Sequence, residues 1–501
     1  MMNRDEARRL AHELVAQMTL EEKASQLRFD SPAIPRLGIP AYNWWNESLH
    51  GVARAGTATV FPQAIGLAAI FDEDFHEMVA SVISTEARAK YNGQSAHGDR
   101  DIYKGLSMWS PNINIFRAPR WGRGHETYGE DPYLTSRLGV RFIKGLQGNG
   151  KYLKVAACAK HFAVHSGPEA IRHSFDAVAN PKDMNETYLP AFEAAVKEAK
   201  VESVMGAYNR VNGEPCCGSP TLLQQILRRD WGFSGHVVSD CGAISDFHIF
   251  HRITGSPQES AALALKNGCD LNCGNVYVHL MQAYEQGLVT EEEIRRSAVR
   301  LFTTRYLLGI MGDGSPYDEI PYTAVECPGH LQAAREAAEK SFVLLKNDGL
   351  LPLDRQKIKT LAVIGPNADS RAALTGNYHG TSSRYITVLE GIQDAAGEDV
   401  RVLYAQGCHL FRDREESMAQ PDDRLAEALT AAELAVIVPV PEAVLADSSF
   451  DIMGEVQPRV REAMGAKIDN AILFGGERPT EWTTDVLTLA AKNKVTGPID
   501  Y

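Results

Sequence analysis

No stretch of the chain stays apolar for the roughly 18 residues that a membrane-spanning helix needs, so the sequence offers no span. Positive charge is in deficit, 51 Lys and Arg against 64 Asp and Glu, a formal −13. No basic run concentrates what there is, which removes the electrostatic footprint expected for nucleic acid or an anionic membrane surface. Eight cysteines in 501 residues are too sparse for a disulfide framework. Cys216 with Cys217, and Cys269 with Cys273, lack a second Cys or His pair at zinc-site spacing, so buried reduced thiols and no metal are expected. The glycines of GRGHETYG (122–129) do not place a G-x-G-x-x-G turn after a strand, so no dinucleotide or phosphate site follows and no cofactor is implied.

What is present has the composition of an ordinary globular protein, long enough for at least two domains. Near the start, Ala7, Leu10, Ala11, Leu14 and Val15 fall on one helical stripe broken by charges, unlike the continuous apolar stretch of an export signal. The expectation is a soluble cytoplasmic chain, of undetermined oligomeric state. Two Asn-x-Ser/Thr triplets, at Asn46 and Asn185, would then carry no glycan.

Through residue 310, apolar runs alternate with helical patterns, the rhythm of parallel βα units. Thr19/Glu22 and Thr290/Glu293 have capping-box spacing, and Ser219-Pro220 reads as an N-cap followed by a proline at the first helical position. The runs VAACA (155–159), VESVMGA (201–207) and HVVS (236–239) lead into Lys160-His161, Tyr208-Asn209 and Asp240. If the three are parallel barrel strands, those polar groups meet at the C-terminal rim, where such barrels keep their chemistry.

Residues 312–329 are rich in Gly, Pro and polar types and read as a linker. A helix near 330–346 and the runs TLAVIG (360–365), RVLYA (401–405) and AELAVIV (432–438) predict three strands of a second α/β sheet.

Six blocks carry a family resemblance: WWNESLHG (44–51), FPQAIGLAA (61–69), PRWGRGHETYGEDP (119–132), AKHFAVHSG (159–167), MGAYNRVNG (205–213) and VVSDCGAI (237–244), with VLLKNDGLLPL (343–353) opening the second domain. Together they resemble glycoside hydrolase family 3, its β-glucosidase/β-xylosidase branch, over residues 1 to about 438. The resemblance implies an α/β fold: a TIM-type (β/α)8-like barrel (1–311), the linker, and an incomplete α/β sandwich domain (330–438). It implies a retaining, exo-acting β-glycosidase that removes terminal glucosyl or xylosyl residues through a covalent glycosyl-enzyme, with a β-linked oligosaccharide or aryl glycoside as substrate.

Asp240 matches the nucleophile of the family's V-V-S-D motif. Glu47, Arg123, Lys160, His161 and Tyr208 match positions that hold the terminal sugar, and Arg172 resembles another. Physically, Glu47 accepts hydrogen bonds from sugar hydroxyls, Arg123 and Lys160 donate to sugar oxygens and keep carboxylates ionised, and Tyr208 could hydrogen-bond Asp240. His173 and Asp270 read as structural. Met205, Trp44 and Trp45 are open between pocket and core.

The resemblance breaks after AELAVIV. The family's general acid/base is a glutamate in an acidic, glycine-rich loop there, and the E-G-E-type loop is missing. No acid/base is assigned; Glu442, Asp447 and Glu455 are the nearby carboxylates. Residues 439–485 instead resemble a segment of tailed-phage major capsid proteins, in FDIMGEVQPRVREAMGAKIDNAILFG and ERPTEW, so 439–501 is expected to be an unrelated α+β tail. The alternative function is a carbohydrate-binding, catalytically impaired fragment.

Overall fold

Asn3 accepts a hydrogen bond from Asp5 N and opens a helix, Arg4–Val15, whose Ala7, Ala11 and Val15 are buried as the stripe requires. Both expected capping boxes form, at Thr19/Glu22 and Thr290/Glu293, and Ser219 caps the helical segment that begins at Pro220. The structure is a computed structural model describing residues 2–118, 121–312, 314–407 and 424–438. It divides into two compact units, Met1–Leu344 with Thr375–Arg384, and Leu345–Leu374 with the chain from Tyr385.

In chain order the first unit's strands are β1 (Asp30–Ser31), β2 (Tyr42–Asn43), β3 (Ser107–Met108), β4 (Ala156–Phe162), β5 (Asp176–Ala177), β6 (Ser203–Gly206), β7 (Arg210–Val211), β8 (Glu214–Pro215) and β9 (His236–Ser239). β3, β4, β6 and β9 pair in parallel in that order. Helices Pro132–Gln147, Pro190–Lys197 and the segment Pro220–Asp230 make the crossovers. Every residue of β4, β6 and β9 is buried, the signature of strands covered on both faces.

Pairing continues past β9 through parallel bridges from Val238 to Leu271 and from Asn272 to Arg28. β1 then pairs antiparallel with β2, and Trp109 N donates to Asn46 O, returning to the β3 side. The ring of segments closes as a barrel, with one antiparallel step that a strict βα repeat lacks. All three predicted strands are present, but β4 runs to Phe162. Lys160 and His161 therefore lie on the strand itself.

Two expectations need correction. Cys273 is not a free thiol: it is bridged to Cys241, 32 residues away, and both fall at barrel strand ends that the fold brings together. Cys216, Cys217 and Cys269 are free and buried as expected, and Cys158 is free and buried as well. The linker and the start of the second domain at 330 also shift. Glu86, buried in a barrel helix, accepts from Glu326 N and from His330, each at 2.9 Å, and Ala337 is fully buried. Helix Pro328–Ser341 thus packs with the first unit. Residues 375–384 rejoin that unit because Arg54 N donates to His379 O and Ala58 N to Thr381 O.

The second unit contains β10 (Thr360–Ile364), β11 (Arg401–Ala405) and β12 (Leu434–Ile437), all parallel in the order β11-β10-β12. These are the three predicted runs, with β10 central and largely buried. The proposed tail, 439–501, lies outside the described residues, as do Glu442, Asp447 and Glu455.

Candidate active site

Parallel strands point their C-terminal ends the same way, so residues far apart in sequence converge where β4, β6 and β9 stop. Lys160 and His161 close β4, Tyr208 follows β6 by two residues, and Asp240 follows β9 directly. Asp240 N donates to Gly206 O at 3.0 Å, fixing its backbone to the neighbouring strand.

Lys160 Nζ donates to Glu47 Oε2 at 2.7 Å, and both side chains are nearly wholly buried. Arg123 spans the next gap: Nε and Nη2 reach Glu126 Oε2 at 3.0 and 2.6 Å, while Nη1 reaches His161 Nε2 at 3.1 Å. A guanidinium only donates. His161 Nε2 must accept, so Nδ1 carries the proton and donates to Asn114 Oδ1 at 2.9 Å. Asn114 Nδ2 in turn donates to His161 O, which fixes the ring.

Asp240 is held asymmetrically. Its Oδ1 accepts from Cys241 N at 2.8 Å; its Oδ2 has no hydrogen-bond partner and stands 3.6 Å from His161 Nε2. One oxygen is anchored and the other is left without a partner.

Burial raises the Asp240 carboxyl above its ordinary value, against the pull of Arg123 and Lys160. Burial also pushes Glu47 up, to about 7, although Lys160 opposes it. Glu126 is buried too, yet Arg123 brings it down to about 2. His161 falls well below its ordinary value through burial, and then through Arg123. The site thus holds neutral imidazole among cations and carboxylates, a surface of donors and acceptors suited to hydroxyl groups.

His161, His165 and Asp240 have ligand atoms within 4.8 Å of one another, close enough for a metal ion. The His161 Nε2 lone pair is already taken by Arg123, and the neighbouring guanidinium and ammonium charges repel a cation. The cluster fits oxygen-rich neutral ligands better than metal.

Residues 1–304 match the family model described as Glycosyl hydrolase family 3 N terminal domain. The chain belongs to glycosyl hydrolase family 3. The family's C-terminal domain model matches 342–493, running on through the stretch read above as a capsid-like tail. A Xylan 1,4-beta-xylosidase of Xylanibacter ruminicola is 45% identical over 418 residues, 81% of this chain and 48% of that protein. Among solved structures, a GH3 exo-beta-xylosidase bound to a xylobiose aziridine probe superposes with TM-score 0.79 at 34% identity, covering 86% of this chain and 56% of that one. A β-glucosidase from Erythrobacter marinus gives 0.74 at 29%, covering 86% and 65%. These neighbours share the TIM-like barrel followed by an α/β sandwich. The chain spans about half the length of the curated relatives it matches.

Within this family 3 barrel, all of Glu47, Arg123, Lys160, His161, Tyr208 and Asp240 gather at one end. One expected contact differs: the Tyr208 hydroxyl donates to Cys241 O at 2.8 Å, not to Asp240. It steadies the residue after Asp240 because that carbonyl, not the carboxylate, faces the phenol. Arg172 pairs with Glu169 at 3.0 Å and lies over the Tyr208 ring, at the margin of the cluster. His173 bonds Asp246, and Asp270 is held by Arg228, Arg300 and Ser297 beneath the barrel wall. Trp44 is core, packed against Tyr42 and His236. Met205 is buried in β6, and Trp45 stacks on Trp109. Asn46 is buried and donates to Gly105 O, which removes it as a glycan acceptor.

Three site residues escaped the sequence reading. Glu126 stands inside the block PRWGRGHETYGEDP without a role assigned to it. Asn377 and Tyr378 come from the returning segment 375–384: Asn377 Nδ2 donates to Glu126 Oε1 at 3.0 Å, and the Tyr378 ring covers the Lys160 ammonium at 4.9 Å. Nothing local marks them. A cavity of about 1150 Å³ lies elsewhere, among Arg4, Glu202 and Trp231, and none of the site residues lines it.

Proposed function

We propose that the chain is a retaining, exo-acting β-glycosidase, or part of one, that removes terminal β-D-xylosyl or β-D-glucosyl residues with Asp240 as nucleophile. The observation that carries the reading is the unpartnered Oδ2 of buried Asp240, 3.6 Å from His161 and framed by Arg123 and the Lys160–Glu47 pair. Oδ2 attacks the anomeric carbon as the bond to the departing oxygen breaks; water then cleaves the glycosyl ester and restores the original configuration. Glu47 accepts from sugar hydroxyls while Lys160 and Arg123 present N–H donors, with His161 orienting the Arg123 guanidinium; Tyr378 adds an aromatic wall. The names of the curated relatives favour xylose over glucose.

Departure of a sugar alcohol needs a proton, which retaining enzymes take from a second carboxylic acid roughly 5 to 5.5 Å from the nucleophile. The lack of an E-G-E-type loop after AELAVIV is the ground for a second reading, a sugar-binding fragment with impaired turnover, which the names of the relatives do not favour. The family match through residue 493 and the capsid-like reading of 439–501 make opposite claims on the stretch that would supply the acid.

Two substrates separate them. A chain with its acid hydrolyses xylobiose and 2,4-dinitrophenyl β-D-xyloside alike; one without it hydrolyses only the dinitrophenyl glycoside, whose leaving group needs no proton, and azide speeds turnover by intercepting the glycosyl-enzyme. A 2-fluoro-xylosyl label should mass on the peptide containing Asp240. Labelling elsewhere, or no turnover of any aryl xyloside or glucoside, would sink the glycosidase reading.

A further inference from the structure

Asp240 is followed at once by a half-buried cysteine whose main chain does two jobs. Cys241 N donates to Asp240 Oδ1, and Cys241 O accepts from the Tyr208 hydroxyl, each at 2.8 Å. The same residue is bonded through sulfur to Cys273, which lies after Leu271, the residue bridged to Val238 of β9. The two strand ends are further stitched by Gly242 N to Cys273 O at 2.8 Å and Cys273 N to Ser239 Oγ at 3.0 Å. Gly242 (φ +88°) and Gly274 (φ +125°) flank the bridge in the left-handed region, and a Cβ added to Gly274 would come within 3.2 Å of Gly242 N.

We propose that the Cys241–Cys273 bridge is the positioning element of the nucleophile: it holds the Cys241 peptide where it anchors Asp240 Oδ1 and leaves Oδ2 free, so opening the bridge slows the covalent step. The inference rests on the glycosidase reading. Otherwise only single hydrogen bonds, from peptides and from the Tyr208 hydroxyl, fix residues 240–242 among the described residues, and a positioning error of about 1 Å can cost roughly a hundredfold in rate. The sugar-gripping residues Lys160, His161, Arg123 and Glu47 sit on other segments, so binding should be spared. A thiol reductant that reaches the bridge would then lower turnover.

Dithiothreitol opens the bridge by attack of its thiolate on the Cys241 sulfur, expelling Cys273 as thiolate. The second reductant thiol then closes its own ring disulfide, releasing Cys241, and each cysteine takes up one proton. The experiment compares full-length chain, oxidised and reduced, with iodoacetamide labelling and peptide mass proving the state of Cys241 and Cys273. Initial rates use 2,4-dinitrophenyl β-D-xyloside across pH. The expected result is kcat lowered roughly ten- to a hundredfold, KM within about twofold, and an acid limb displaced to higher pH because Asp240 loses its Cys241 N–H. Oxidised glutathione should restore the rate, and a Cys241→Ser/Cys273→Ser chain should start at the reduced rate and ignore dithiothreitol.

An unchanged kcat in proven-reduced protein overturns the proposal, as does a double variant with the oxidised rate. A reduced form that has lost its thermal transition at the assay temperature also overturns it, since the bridge would then be holding the fold and not the carboxylate. If neither form turns over any aryl glycoside, the glycosidase reading falls by itself. Amide exchange at residues 240–242 then decides: faster exchange in the reduced form supports the positioning role, and equal exchange defeats it.

Discussion

Lys160 and Glu47 form an ion pair at 2.7 Å with side chains 1% and 3% exposed, one at the end of a barrel strand and the other 113 residues earlier in the chain. Burying two charges is costly, and the geometry must compensate. The ammonium is also among the groups that hold down the Asp240 carboxyl against burial, so a single cation tunes both carboxylates.

Lys160→Met should therefore move the acid limb of kcat/KM to higher pH. Burial raises the Asp240 and Glu47 carboxyls and Lys160 opposes the rise, so without the cation each protonates at a higher pH and activity is lost earlier as pH falls. Rates on an aryl xyloside from pH 4 to 9 would read the shift; an unmoved limb would show that neither carboxylate controls it.

Asp240→Asn keeps shape and removes the nucleophilic charge. Turnover of 2,4-dinitrophenyl β-D-xyloside should fall by at least about a thousandfold, with the thermal transition little changed. Asparagine with near-native turnover would transfer the covalent role to another side chain.

Glu126→Ala leaves the Arg123 guanidinium buried without its carboxylate, a loss on the order of 3–5 kcal/mol for broken buried pairs. The direction in pH follows from its carboxyl standing at about 2 in the folded chain. The stabilisation is present above the ordinary glutamate range and lost as pH drops toward 2. Melting curves at pH 7 should separate native and variant chains, and the gap should narrow between pH 5 and 3.

Tyr378→Ala uncovers the Lys160 ammonium and removes an aromatic wall. At about 1 kcal/mol for a cation–π contact, KM for aryl xylosides should rise roughly fivefold with a smaller change in kcat. An unchanged KM would place the ring outside the sugar's reach.

How much was legible in advance follows from where each signal resides. The strand runs around 157, 204 and 237 are short, apolar and closed by polar residues, so their existence and shared rim could be read from periodicity, and Lys160, His161, Tyr208 and Asp240 came with them. Glu47 and Arg123 came from the blocks of family resemblance, because a glutamate after tryptophans or an arginine among glycines has no periodic signature. Tyr378 and Asn377 were invisible: they follow a second-unit strand in sequence but pack with the barrel, held by backbone pairing to residues 54–58.

Sequence by itself determined the helix starts, the alternation of strand and helix, and the identity of the carboxylates and cations, because capping and burial periodicity are local properties of the chain. Only the tertiary structure decided which partner each charge takes, that Tyr208 reaches the Cys241 carbonyl, and that Cys241 meets Cys273. Those outcomes depend on barrel closure, which sets distances between segments that no spacing along the chain encodes.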